Sequence, residues 1–288
     1  MAAAVEGAMD EGRGHCAEEV RRHDHDRWLA ALFAPEGPRA GLMALYAFNL
    51  ELARIPAAVR EPMLGEIRLQ WWRETIDAAL AGSARAQPVA LALAAAHRAQ
   101  PFTPALLRRL IDARTGDLYP APPADLAQLE TYAGETAGTL GELAAEALGA
   151  GGAASREAAR EVGIGWALGG LIRALPFHVA EGRVYVPADL LAQAGLAAEN
   201  LWAPANRPRL KPCLARIGDA AAAHFARARA LRREVERAAM PALLPAALGE
   251  LYLARLRSAD FDPADPRLTI VGAAKPLRLL TRAILRRY

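Results

Sequence analysis

Cysteine is scarce in this chain. Cys16 and Cys213 are its two thiols, too few for a disulfide scaffold and without Cys-x-x-Cys spacing, so reduced intracellular cysteines are the expectation. Long apolar runs are missing as well, and none approaches the ~20 residues that a bilayer span requires. The opening stretch, MAAAVEGAMDEGRGHCAEEV, is acidic and lacks the charged-then-apolar form of a signal peptide. Residues 1–19 are therefore expected to be a disordered N-terminal tail and residues 20–288 one folded domain. The expected location is cytoplasmic, with at most peripheral contact at the inner face of a membrane. β-Branched residues are sparse, whereas Ala and Leu, both strong helix formers, dominate the apolar half of the composition. That balance favours an all-α protein before any pattern is read.

Charge of one sign is also not concentrated. The formal net charge is +3 despite a pI near 9.1, and acids are interleaved with the arginines along most of the chain. A nucleic-acid partner is excluded on that ground, since such a protein gathers positive charge on one face or carries a known motif. The last third is richer in Arg, through RARALRREVERAA and LLTRAILRRY. Those segments read either as solvated helix faces or as surfaces for an acidic lipid or partner.

What is present is helical periodicity. Apolar spacing predicts helices at roughly 17–34, 38–56, 60–82, 86–99, 103–117, 125–150, 153–181, 187–195, 211–239, 241–258 and 272–286. Breakers separate them: APEGP at 34–38, AQP at 99–101, YPAPP at 119–123 and GAGG at 149–152. The segment 196–210 reads as a loop because WAPANRPRLKP is too rich in proline for a helix.

Three polar constellations stand out. RRHDHDR at 21–27 gathers His23, Asp24, His25 and Asp26, but alternate residues on a helix point about 200° apart, so a capping stretch is favoured over a metal site. RLQWWRETID at 68–77 sets Arg68 and Arg73 beside Trp71 and Trp72. Successive tryptophans face different directions, so one should pack in the core, and Arg can hold phosphate in bidentate fashion. GLIRALPFHVAEGRVYVPADLL at 170–191 has Pro176 inside a helix, where it should kink the axis. It brings Arg173, His178, Arg183 and Tyr185 within a dozen residues, a set suited to an anionic ligand.

Together these segments resemble the squalene/phytoene synthase family, from about Asp24 to at least Leu191. The resemblance rests on ALFAP and ALYAF, on RLQWWRETIDAALAG, on LIDARTGDL at 110–118, on LETYAGETAGTLGEL at 129–143, and on LGGLIRALPFHVAEGRVYVPADLL. It implies an all-α, single-domain helical bundle of the isoprenoid synthase type with a central cavity. It also implies two Asp-rich motifs on facing helices that hold Mg²⁺ against prenyl diphosphates, because Mg²⁺ is a hard cation taking oxygen ligands. Counted from Tyr46-Ala47-Phe48, the first motif falls on Ala53, Arg54 and Ala57; counted from Arg173, the second falls on Ala174 and His178. None is a carboxylate. Arg54 puts a permanent cation where a dication would sit, and two unit charges ~4 Å apart repel by about 4 kcal/mol at an effective dielectric near ~20.

YAFNLELARI followed by IRLQWW is similar to the branch of that family that includes the mitochondrial complex I assembly factor 6 and its bacterial relatives, with Asn49 and Glu51 as its markers. This resemblance implies a non-canonical, catalytically inactive member concerned with assembling or maintaining respiratory NADH dehydrogenase. No cofactor is then expected, and complex I subunits or assembly intermediates are the implied partners. Two alternatives remain: an active, Mg²⁺-dependent transferase condensing two prenyl diphosphates, and a module binding lipid or isoprenoid. The candidate ligand pocket comprises Tyr46, Asn49, Glu51, Arg54, Arg68, Trp71, Arg73, Asp117, Tyr132, Arg173, His178, Arg183 and Tyr185.

Overall fold

Alanine and leucine at helical spacing build fifteen α-helices in the computed structural model, which describes residues 2–119, 121–268 and 273–288, with side chains from residue 11 on. In chain order they are α1 (Ala2–His23), α2 (His25–Ala31), α3 (Glu36–Arg54), α4 (Pro62–Leu80), α5 (Pro88–Ala99), α6 (Pro104–Asp112), α7 (Leu126–Ala133), α8 (Thr139–Ala147), α9 (Ala153–Arg173), α10 (Leu175–Ala180), α11 (Ala188–Gln193), α12 (Arg207–Ala230), α13 (Met240–Leu243), α14 (Pro245–Ser258) and α15 (Ala274–Ile284). No strand occurs among the described residues, so the all-α expectation holds.

The expected disordered tail is corrected by the structure. α1 runs through it and packs on α3 and α5, with Cys16 and Val20 wholly buried in the first core. An apolar residue every fourth position gave Cys16 and Val20 a common face, which the acidic composition of the flanking residues obscured. Burial, then the charges of Glu51 and Glu19, push the Cys16 thiol up to about 12, so it stays protonated.

Boundaries moved where side chains compete for backbone partners. Asp24 ends the predicted 17–34 helix by accepting a hydrogen bond from the Arg27 backbone N–H at 3.3 Å, as an N-cap does. Its neighbour Asp26 is buried and accepts from Tyr252 Oη at 2.6 Å and Lys275 Nζ at 2.8 Å, tying α2 to α14 and α15. The loop predicted to 210 ends earlier, since α12 begins at Arg207. Pro208 sits in its first turn, where no intrahelical N–H is needed. Pro176 does not kink a continuous helix. α9 stops at Arg173, Ala174 turns the chain, and Pro176 lies in the first turn of α10.

The described core divides into two large clusters. One lies around Phe48 and Trp72, whose rings meet edge-on at 5.2 Å; Trp71 faces outward. The other surrounds α9, α12 and Phe225. α8 and α9 join them through glycine. A Cβ on Gly163 would come within 2.0 Å of the Ala137 carbonyl oxygen, and one on Gly141 within 2.1 Å of the Ala159 carbonyl. That approach leaves about 10 Å³ open among Tyr46, Arg27, Trp166 and the α8–α9 seam.

Candidate functional site

The site forms where the two cores meet. α6 tightens after Asp112 into a 3₁₀ turn over Ala113–Leu118. Residues three apart eclipse in a 3₁₀ turn, so Arg114 and Asp117 project on the same side. Arg114 Nη1 donates to Asp117 Oδ2 at 3.1 Å, and Arg114 Nη2 donates to Asn49 Oδ1 of α3 at 2.9 Å. Tyr132, at the end of α7, places its hydroxyl 3.3 Å from Arg114 Nη1. Tyr185 donates to Asp117 Oδ1 at 3.0 Å from the extended segment that follows the Gly182 turn. The side chains of Arg114 and Asp117 are only 12% and 4% exposed, so the ion pair is effectively dry.

Tyr132 is aimed by a π-helical turn over Gly134–Gly138, which directly follows α7. Thr136 Oγ1 donates to the Tyr132 carbonyl at 2.7 Å and Thr139 Oγ1 to the Gly134 carbonyl at 3.2 Å, occupying acceptors that the wider turn exposes. The Tyr132 and Tyr185 rings then pack 5.5 Å apart, and His178 meets Tyr185 edge-on at 4.9 Å. Burial raises the Tyr132 phenol well above its ordinary value. Burial and then the Asp117 charge take Tyr185 up to about 12. Both are therefore protonated near neutrality and serve as hydrogen-bonding groups, not as bases. Burial, followed by the Arg183 charge, lowers the His178 pKa and favours the neutral imidazole.

Asp117 and Arg183 stand in the wall between two cavities. One, of about 230 Å³, is lined by Tyr119, Pro122, Leu129, Tyr132 and Tyr185 besides them. The other, of about 270 Å³, is bounded on its far side by Pro56, Val59 and Arg60. Arg183 is itself paired with Glu181.

Six of the predicted pocket residues thus converge: Asn49, Asp117, Tyr132, His178, Arg183 and Tyr185. Seven do not. Tyr46 is buried with its ring 5.7 Å from the Arg27 guanidinium, on the closed α8–α9 seam. Arg54 turns toward α1 and donates to Glu19 at 2.6 Å, and the Glu51 charge bears on Cys16 in the same region. Arg68 and Trp71 are exposed on α4, and Arg73 bridges to Asp112 of α6 at 2.7 Å. Arg173 lies with its guanidinium 3.5 Å from the centre of the Tyr252 ring, in a separate cavity of about 520 Å³ that also includes Lys275. The central residue, Arg114, is not among the residues that the sequence pattern singles out. Its signal was the spacing Arg-x-x-Asp in ARTGD, which becomes a contact once the segment is known to be 3₁₀ rather than α-helical.

The residues present do not fit a Mg²⁺ cluster. Ala53, Ala57 and Ala174 supply no donor, Arg54 supplies a cation bound to Glu19, and His178 is flanked by Arg183. Both oxygens of Asp117 already accept hydrogen bonds. Among the described residues no group of three or more His, Cys, Asp or Glu side chains converges as metal ligands would.

Residues 20–273 match the sequence profile of squalene/phytoene synthase. A Bos taurus protein called NADH dehydrogenase (ubiquinone) complex I, assembly factor 6, is 30% identical over 274 residues, spanning 95% of this chain and 82% of that protein. A dehydrosqualene synthase crystal structure superposes with a TM-score of 0.82 at 16% identity, covering 96% of this chain and 97% of that one. A squalene synthase from Alicyclobacillus acidocaldarius gives 0.78 at 22% identity, covering 90% and 99%. At those identities the two crystal structures speak for the fold alone, an all-α isoprenoid synthase bundle.

Proposed function

The chain belongs to the squalene/phytoene synthase family, and from that premise we propose that it serves the assembly or maintenance of respiratory complex I by binding rather than by prenyl transfer. The observation that carries this reading is the state of the site: its one deeply buried carboxylate, Asp117, is held by Arg114 and Tyr185. A carboxylate so engaged already has its charge balanced by the Arg114 guanidinium, which would repel a dication at the same oxygens, and the positions that the resemblance gives to the metal ligands offer no other acid. The similarity to the Bos taurus assembly factor, across nearly the whole chain, supplies the biological direction. Complex I subunits or assembly intermediates are the proposed partners, and no cofactor is needed for such a role. No described helix is long and apolar enough to cross a membrane.

Deleting the gene in its host and measuring NADH dehydrogenase activity and complex I abundance tests the role. Both should fall, and unchanged values of both would remove it. Incubating the pure protein with farnesyl or geranylgeranyl diphosphate and Mg²⁺ tests the absence of transfer. A squalene- or phytoene-like product that disappears in Arg173→Ala would restore the transferase reading.

A narrower second reading is favoured by the 230 Å³ cavity, which joins the Tyr132 and Tyr185 rings to the Arg183 guanidinium. An isoprenoid or lipid with an anionic end could enter there, its head on Arg183. The space is smaller than the ~300–1,000 Å³ usual for small-molecule sites, so it would take only part of a chain. Calorimetric titration with prenyl diphosphates, with and without Mg²⁺, decides this; no heat in either condition ends the idea.

A further inference from the structure

The chain folds back after α15. Arg286 holds a φ of 50°, in the left-handed region that glycine usually fills, and the Arg287 backbone N–H donates to the Arg282 carbonyl at 2.9 Å. The turn returns Tyr288 to α12, where its ring is buried and its Oη donates to the Ala228 carbonyl at 3.0 Å. A cavity of about 270 Å³ opens there, lined by Arg229, Arg232, Arg282, Arg287 and Tyr288, with no acid in its wall. Glu250 of α14 stands close by: it pairs with Arg229 and lies 3.6 Å from Arg282 and 3.9 Å from Arg278. One carboxylate is thus shared by three cations. The exposed side chains of Arg232 and Arg287 make no hydrogen bond or ion pair with the described residues. Positive charge is in excess: burial, then the Arg282 charge, lowers the Arg278 pKa. Burial pushes the Tyr288 phenol up to about 12 against the opposing charges of Arg232 and Arg229, so both guanidinium groups bear on the ring.

We infer that this basin binds a soluble, multiply charged phosphate ligand, held by its phosphate or diphosphate group. Guanidinium forks match phosphate oxygens in bidentate fashion. Four of them around one cavity exceed what a single carboxylate anion could balance, whereas a diphosphate brings both the charge and the acceptors. Size sets the limit on the other side. The space is below the ~300–1,000 Å³ usual for small-molecule sites, so it takes the charged group and leaves any carrier outside. Tyr288 is too deeply buried to stack on a base, so recognition rests on charge. Glu250 holds Arg229 and faces Arg282, which fixes one side of the basin, while the unpaired Arg232 and Arg287 are able to close over the anion. The site shares no residue with the Asp117 cluster, and its occupancy is independent of the assembly role.

Calorimetric titration of the purified full chain with inorganic diphosphate tests it. One saturable event is expected, weaker in raised salt, since exposed charges are screened beyond a Debye length of ~10 Å at 0.1 M. The double variant R232Q/R287Q should bind about tenfold or more weakly, and Arg287→Glu alone should also bind more weakly. Both should keep the parent's thermal midpoint without ligand, because neither side chain has a partner in the fold. Arg173→Gln, in the other cationic cavity, should bind as the parent does. No saturable binding of diphosphate would overturn the inference, whether or not anionic vesicles retain the protein. Equal affinity for sulfate would overturn it by showing general attraction of anions. So would full binding by R232Q/R287Q, or a loss confined to Arg173→Gln, which would put the anion beside Lys275 instead.

Discussion

Arginine plays opposite parts at two places in this molecule. At the Asp117 cluster a guanidinium is buried, and its partners come from α3, α7 and the 3₁₀ turn. Near α15 several guanidinium groups gather instead around Glu250, with Arg229 and Arg282 against it and Arg232 and Arg287 exposed. In the first case burial makes each hydrogen bond necessary, because an unpaired charge in a dry site is costly. In the second, water already solvates exposed cations such as Arg232 and Arg287, so no single partner is required of them. The same residue type therefore acts as internal glue in one region and as part of an outward-facing surface in the other.

The comparison can be broken most sharply at Arg114. Arg114→Met should cost about 3–5 kcal/mol in urea unfolding, because Asp117 is left buried without its counter-charge. The double variant R114M/D117L should recover much of that loss; no recovery would mean that packing rather than charge is the cause. Tyr185→Phe should cost about 1–3 kcal/mol by leaving Asp117 Oδ1 without its donor, read from the same curves.

His178 offers a pH readout. Its folded-state pKa lies below the usual value of about 6.5. The unfolded chain therefore takes up the proton first as pH falls through that value. His178's contribution is intact above about pH 6.5 and declines below it, until the folded-state pKa is reached. Unfolding midpoints between about pH 8 and pH 5 should show this decline, and His178→Gln should flatten it.

Arg54→Ala, which breaks a bridge whose Arg side chain is 41% exposed, should change stability by only about 0–1 kcal/mol. Ile284→Ser at the α15 surface should stay within about 0.5 kcal/mol of the parent, since nothing packs on that face. A large loss from either would erase the contrast between the two regions.

Much of the helical plan was legible from periodicity. α3, α4 and α5 lie within a few residues of their predicted ranges, and Trp72 rather than Trp71 took the core position that one of the pair had to occupy. The break at Asp24 and the early start of α12 were harder to read, because each depends on one side chain or proline in a first turn rather than on a repeating pattern. At the site, the sequence pattern points to Asn49, Asp117, Tyr132 and Tyr185 but not to their organiser, Arg114. Sequence distance groups Arg173 with His178. The stop of α9 before Ala174 sends the two to different cavities.

The sequence by itself determined the all-α character and the absence of carboxylates at Ala53, Arg54, Ala57, Ala174 and His178. These are local properties: helix propensity belongs to a residue and its near neighbours, and an alanine cannot acquire an oxygen ligand through folding. Only the tertiary structure decided which cation meets which acid. Arg54 went to Glu19, Arg73 to Asp112 and Arg114 to Asp117. Periodicity assigns a residue to a face of its helix, but not to a partner. The close α8–α9 seam and the packing of α1 on α3 fix the distances between faces, and over those few ångströms a buried charge is either paired or costly.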